Sequence, residues 1–212
     1  MISFITSCKG RLHHLKQCLP TWISQNGFEI EVIVVDYDDP DNSFDYVLDL
    51  GNPMVKAVKA HDESGFFNLS KARNIGALNA DDRADIFFFI DADAMLTNNN
   101  FLKNHIGDVL VGGSFLNGWG YGDGTGCCLI WKELFTRAKG YNENVDGWGF
   151  EDIDFYYRVE RMGFHQKPFI CCIETIKHSD DDRVAYYQNK DLQYTNLQNI
   201  DRTKRNFISR IE

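Results

Sequence analysis

Two carboxylates two residues apart, Asp91 and Asp93, stand at the end of the uninterrupted apolar run Ile86-Phe87-Phe88-Phe89-Ile90. On an extended chain, side chains at i and i+2 point the same way. Crowding two such acids is costly unless a divalent cation sits between them and an anionic ligand such as a phosphate. The plainer alternative is a solvated turn after a core strand, since Asp is common where strands end. A second acid cluster, Glu151, Asp152 and Asp154, follows Trp148-Gly149-Phe150. Three acids in the first turn of a helix already suit its dipole. The aromatic and glycine lead-in adds another sense, because sugar sites combine an apolar ring with carboxylates that hold hydroxyls. A carboxylate held there could accept the proton of a sugar hydroxyl attacking an electrophilic carbon. His178 precedes the acids 180–182 and would supply an imidazole for manganese or a similar ion if the chain returned beside Asp93. Arg73 could place a guanidinium near a diphosphate or simply lie on a solvated helix face, and Arg11 follows the first expected strand, where a phosphate or base contact is plausible.

The elements around these residues follow from the apolar pattern. Buried strands are expected at 2–6, 31–35, 54–60 and 86–90, the second also ending in acids, Asp36, Asp38 and Asp39, before Pro40. Helical spacing marks 11–24 through Leu12, Leu15, Leu19, Trp22 and Ile23, and a helix capped by Asn68 or Ser70 with Ala72, Ile75 and Leu78 on its face. This β-α-β-α-β order predicts an α/β domain, a largely parallel sheet with helices on both faces. Ligands of such sheets bind at the carboxyl ends of the strands. The stretch 112–126 holds seven glycines in fifteen residues, which predicts irregular backbone or close approach to a ligand. Beyond it, strands are expected at 125–131 and 165–173, and helices at 132–139 and from 151 to about 162.

Composition sets the bounds. The 212 residues suit one domain, and a formal charge of −9 with pI near 5.1 excludes a nucleic-acid surface. No stretch approaches the ~20 apolar residues of a membrane span, and the amino terminus lacks a signal-peptide pattern, which predicts a cytoplasmic protein. The six cysteines, two of them isolated and four in the adjacent pairs 127–128 and 171–172, read as reduced core thiols. The tail from 200 to 212 mixes Arg202, Lys204, Arg205 and Arg210 with Phe207, Ile208 and Ile211. It fits a terminal helix packed on the domain or a peripheral contact with an anionic membrane.

Taken in order, Cys8-Lys9-Gly10-Arg11, the strand ending at Asp36, 68–76, Asp91-Ala92-Asp93, 148–154 and Lys177-His178-Ser179 resemble the GT-A glycosyltransferases of family-2 type, most narrowly the β-1,4-galactosyltransferase-like group. The resemblance covers residues 2–180 and implies a single GT-A domain, 1–180, with 181–212 as a C-terminal extension. It implies a metal-dependent inverting transferase that moves a sugar, of galactose or N-acetylgalactosamine type, from UDP to a hydroxyl of a glycan or lipid-linked acceptor. By that resemblance Asp93 and His178 bind Mn²⁺ (or Mg²⁺), and Asp91 lies toward the ribose. Asp36 and Arg11 contact the uridine, Arg73 lies near the donor, Trp148 stacks on sugar, Glu151 holds hydroxyls and Asp152 is the general base. Two positions depart from the group's pattern: Thr175 replaces a methionine ligand, and Phe150 replaces a glycine. The alternatives are a noncatalytic nucleotide-sugar or glycan-binding module on the same fold, and a metal-dependent phosphatase or nucleotidyltransferase, which would leave the Trp148 loop unexplained.

Overall fold

A computed structural model describes residues 1–110, 113–118, 124–145, 147–169, 173–195 and 197–200. Its centre is a seven-stranded sheet in the order β3-β2-β1-β4-β7-β6-β8. Strands β1 (Ile2–Cys8), β2 (Ile30–Tyr37), β3 (Val55–Ala60) and β4 (Ile86–Phe89) run parallel. The antiparallel β7 (Cys128–Trp131) joins them to β6 (Ser114–Asn117), which pairs in parallel with β8 (His165–Pro168). Among these seven strands β7 alone runs against its neighbours, so the expectation of a largely parallel sheet holds.

Strands β1, β2 and β4 are apolar at successive positions because both sheet faces are covered. On one face Phe4, Val32, Val34 and Phe88 pack with Leu15, Leu19 and Trp22 of α1 (Leu12–Ile23) and with Phe101 of α4 (Phe101–Leu110). On the other, Ile5, Val35, Phe87 and Phe89 meet Ala72 of α3 (Leu69–Leu78), Phe135 of α5 (Lys132–Arg137) and Phe155 of α6 (Glu151–Glu160). Asn68 is the N-cap of α3 and accepts from the Lys71 amide at 2.9 Å, so Ser70 lies inside the helix. Leu78, placed on the buried face by spacing, is 84% exposed at the end of α3.

The expected final strand at 165–173 is instead two elements in different sheets: β8 ends at Pro168, and β9 (Ile173–Thr175) pairs antiparallel with β5 (Ala94–Leu96). That small sheet brings the chain back beside the D-x-D segment. The expected strand at 125–131 begins only at Cys128, because 124–126 forms a turn. A short helix α2 (Ser43–Leu50) follows β2, and α7 (Asp180–Val184) follows β9. Cys8, Cys18, Cys127 and Cys128 are buried free thiols, as composition suggested, while Cys171 and Cys172 lie outside the described residues. The basic tail from 201 onward also lies outside them. Among the described residues no helix is long and apolar enough to cross a membrane.

Helix α3 sits tightly on β1 and β2 at Gly76, where an added Cβ would lie 2.4 Å from Ile5 Cγ2 and 3.2 Å from Val35 Cγ2. A methyl group there must push the helix off the sheet. Gly76→Ala is expected to cost about 1–3 kcal/mol in urea unfolding, with helix propensity alone pulling the other way.

Candidate active site

The carboxyl ends of β1 and β4, the turn before β7, the head of α6 and the segment after β9 enclose a cleft of about 760 Å³. Asp91 and Asp93 leave β4 on its floor, and Glu151 and Asp152 face it from the first turn of α6. Between the two acid pairs lies Arg73, carried by α3 and only 3% exposed. Its Nη2 donates to Asp91 Oδ1 at 2.9 Å and to the Gly126 carbonyl at 2.9 Å, and its Nη1 donates to Glu151 Oε1 at 3.2 Å. The ring of Tyr141 covers the guanidinium at 4.9 Å. Arg73 does line the cleft, as expected of a residue near the donor, but its polar edge is engaged with the two acid motifs. It is neither a solvated helix face nor an uncommitted phosphate ligand.

Gly126 shows why glycine is required here. A Cβ at this position would stand 2.5 Å from Asp91 Oδ2 and 3.1 Å from Arg73 Nη2. The glycine-rich stretch is thus in part close approach, with its carbonyl serving as one acceptor for Arg73.

Asp93 and His178 meet at 2.9 Å between Oδ2 and Nε2, both side chains mostly buried. The pairing of Ala94 with Thr175 and a hydrogen bond from the Ile176 amide to the Asp93 carbonyl, 2.8 Å, hold the two segments together. His178 Nδ1 faces the Ser179 carbonyl at 3.2 Å. A carbonyl can only accept, so the ring proton belongs on Nδ1 and the Nε2 lone pair faces a carboxylate oxygen. Such a contact needs a proton or a cation between the two atoms. Burial, with Asp91 second, pushes the Asp93 carboxyl above its usual range, against the pull of His178. A carboxylate and an imidazole fit Mn²⁺ or Mg²⁺. Among the described residues no group of three or more His, Cys, Asp or Glu side chains is placed to hold a metal ion. Thr175 lines the same cleft.

The second acid pair is shaped by burial. Glu151 is pushed up to about 7 by burial first and by neighbouring Asp152 second, with Arg73 opposing. Asp152 is raised by burial, and Arg73 pulls it back. Its Oδ1 accepts from the Ile153 amide at 2.8 Å. Asp154 is a different case: it pairs with Arg158 one turn on at 2.8 Å and belongs to the helix.

Asp36, expected at the uridine, is not among the residues lining the cleft. It is buried, and its oxygens accept from the Asp39 amide (2.9 Å), Ser43 Oγ (3.1 Å) and the Phe44 amide (2.8 Å). The N-cap of α2, Asn42, makes no side-chain cap, so Asp36 satisfies the free amides of that helix across the turn. In the same turn Asp39 Oδ1 accepts from the Gly10 amide at 2.6 Å. Arg11 does line the cleft, and its Nη2 donates to the Asp182 carbonyl at 2.7 Å. Trp148 lines it too, with the Arg183 guanidinium 5.1 Å from its ring centre.

The spacing of motifs gave no sign of the residues after His178. Tyr186 packs on Gly10, where a Cβ would meet its ring at 2.2 Å, and its carbonyl accepts from the Phe67 amide at 2.9 Å. Thr195 fills the space beside Gly147, and Asn199 donates to the Gly149 carbonyl at 2.9 Å. These contacts tie the 181–200 segment to the rim of the cleft on both sides.

A mostly parallel sheet, a D-x-D at the end of β4 and an acid-headed helix across the cleft define a GT-A fold. Residues 3–172 match the model of glycosyl transferase family 2, and the chain belongs to that family. It is 26% identical over 130 residues to β-1,4-galactosyltransferase 7 of Drosophila melanogaster, covering 58% of this chain and 39% of the relative. It is 35% identical over 104 residues to human β-1,4-galactosyltransferase 4, covering 44% of this chain and 29% of the relative. The chain therefore spans well under half the length of these relatives. Among solved structures, the mannosyltransferase PcManGT of Pyrobaculum calidifontis, in complex with GDP-Man and Mn²⁺, superimposes with a TM-score of 0.70 at 17% identity, over 83% of this chain and 57% of that one. The catalytic domain of Drosophila β-1,4-galactosyltransferase 7 in complex with xylobiose gives 0.65 at 17% identity, over 96% and 79%.

Removing the bridge should be costly. Arg73→Met leaves the buried Glu151 and the half-buried Asp91 without their partner and is expected to cost about 3–5 kcal/mol in urea unfolding. Arg73→Lys should recover little of this, because an ammonium lacks the planar fork that serves three acceptors at once.

Proposed function

We propose that this chain transfers a sugar, of galactose or N-acetylgalactosamine type, from UDP to a hydroxyl of a glycan or lipid-linked acceptor, with inversion at the anomeric carbon. The observation that carries this proposal is the Arg73 bridge from Asp91 to Glu151, which ties the D-x-D segment to the acid-headed turn of α6 across one cleft. Support comes from membership of glycosyl transferase family 2 and from the solved complex of a Drosophila β-1,4-galactosyltransferase 7 mutant with manganese, UDP-Gal and xylobiose, which shares the fold at a TM-score of 0.64. The choice of UDP and of the galactose class rests on the resemblance to that group.

Each residue then has a task. Asp93 and His178 hold Mn²⁺ or Mg²⁺, and the ion, when bound, offsets the charge that develops on the departing diphosphate. Asp91, steadied by Arg73, lies on the ribose side of Asp93, and Arg11 lies at the uridine end. Trp148 presents a sugar platform. Asp152 takes the proton of the acceptor hydroxyl as that oxygen attacks the anomeric carbon from the face opposite UDP. Glu151, fixed to Arg73, orients hydroxyls beside it. A binding module would have no need of a carboxylate held this way.

Asp93→Ala should abolish turnover in a UDP-sugar screen and also metal-dependent UDP binding; unchanged turnover would refute the metal-site role. Asp152→Asn should lower turnover by about 10²- to 10⁴-fold with UDP binding nearly intact, and parallel loss of both would remove Asp152 from the role of base. The pH profile gives a further check. Burial raises Asp152, so its charged form is lost at a higher pH than a free aspartate's. The acid limb of kcat/KM should therefore fall as pH falls, with its midpoint above 3.8, and that limb should be absent from the residual activity of Asp152→Asn.

A further inference from the structure

Phe150 is held in a backbone conformation that a phenylalanine avoids. Its φ is +70° and its ψ −2°, in the left-handed region, at the N-cap of α6. Among the described residues only three other non-glycine residues have positive φ: Asp38, Asn42 and Lys139. Asp and Asn tolerate that region through short polar side chains, whereas a bulky ring at positive φ is a steric outlier. Gly147 and Gly149 in the same loop have φ of +77° and +95°, so the loop's path is one that glycine follows without strain. The β-1,4-galactosyltransferase-like group, by the resemblance drawn above, has glycine at this position as well.

Phe150 is half-buried and lines the cleft, and among the described residues its ring has no aromatic or cationic partner. Of the other aromatic residues of the cleft, Tyr187 packs on Phe67 at 5.5 Å, and the Arg183 guanidinium lies 5.1 Å from the centre of the Trp148 ring. Strained backbone persists where function uses it. The position of Phe150 says which function. Its carbonyl accepts from the Asp154 amide at 3.0 Å, so its backbone is fixed to the turn that carries Glu151 and Asp152, and the ring projects from that turn. The leaving-group end of the cleft, at Asp93 and His178, is built by other elements.

We infer that Phe150 is an acceptor-specificity residue of this chain, its ring stacking on the C–H face of the acceptor pyranose whose hydroxyl Asp152 deprotonates. The apolar face of a sugar ring matches an aromatic plane. A ring fixed beside the base also settles which hydroxyl comes within reach of it. The inference rests on the transferase proposal for the order of the two sugars in the cleft. It assigns the ring to the acceptor and not to the donor.

Ligand-observed NMR titration of methyl β-glycosides of glucose, galactose, N-acetylglucosamine and xylose, with Mn²⁺ and UDP present, tests it. The native protein should bind at least one of them, Phe150→Gly should bind it about five- to tenfold more weakly, and Phe150→Tyr should match the native protein. Glycine suits the left-handed backbone, so Phe150→Gly should also melt at a higher temperature, which separates lost stacking from lost fold. Equal glycoside binding by native protein and Phe150→Gly, no binding of any glycoside, or a loss that falls on UDP instead, would overturn the assignment. Metal-dependent UDP-sugar hydrolysis by the native protein is read in parallel: its absence counts against the transferase, whereas failure of the Phe150 comparison with hydrolysis intact counts against the stacking role alone.

Discussion

A single buried cation holds the two halves of this cleft in register. Arg73 is almost wholly removed from water, and a guanidinium is tolerated there only because Asp91, Glu151, the Gly126 carbonyl and the Tyr141 ring meet it from four directions. Three elements distant in sequence depend on that contact: the end of β4, the turn before β7 and the head of α6. Without it, three carboxylates, Asp91, Glu151 and Asp152, would share a poorly solvated space. With it, they stay close and their charges are partly offset. The raised Glu151 and Asp152 follow from the same balance, burial lifting both and Arg73 restraining both.

The rest of the architecture delivers partners to that centre. The parallel strands end together, so β1 and β4 present Arg11 and the D-x-D on one edge. The short β5–β9 pairing is what carries His178 to Asp93. The chain is acidic overall, yet Lys9, Arg11, Lys177 and Arg183 all line the cleft, which suits the anionic donor proposed for it. The segment after His178 then joins the Arg11 side to the Trp148 side through Asp182, Arg183, Tyr186 and Asn199.

Much of this was readable before the structure, and for identifiable reasons. The strands β1, β2 and β4 are covered on both faces and so appear as apolar runs, and α1 and α6 show helical periodicity. Asp91, Asp93, Glu151 and Asp152 stood out because acids at strand ends and helix starts invite a chemical reason. Helix α2 escaped notice because it leaves Leu48 and Leu50 exposed, so its pattern does not resemble a core face. Helix α4 starts just after three successive asparagines, 98–100, which read as loop. The single strand expected at 165–173 split because periodicity cannot tell one sheet from another. The resemblance sets Asp36 at the uridine, and the structure adds a local use that spacing does not show: its oxygens accept from Ser43 and Phe44 at the start of α2. The role of Arg73 was out of reach, since its partners lie 18 and 78 residues away.

Asp93 and His178, as proposed, hold a divalent ion on the leaving-group side of a cleft whose other side carries the base. Electron spin echo modulation of bound Mn²⁺ in the presence of UDP tests this most directly, because an imidazole nitrogen in the coordination shell leaves its own modulation. Nitrogen modulation is expected in the native complex and its loss in His178→Ala. A Mn²⁺–UDP complex that forms without nitrogen coupling, or that keeps it in His178→Ala, would contradict it.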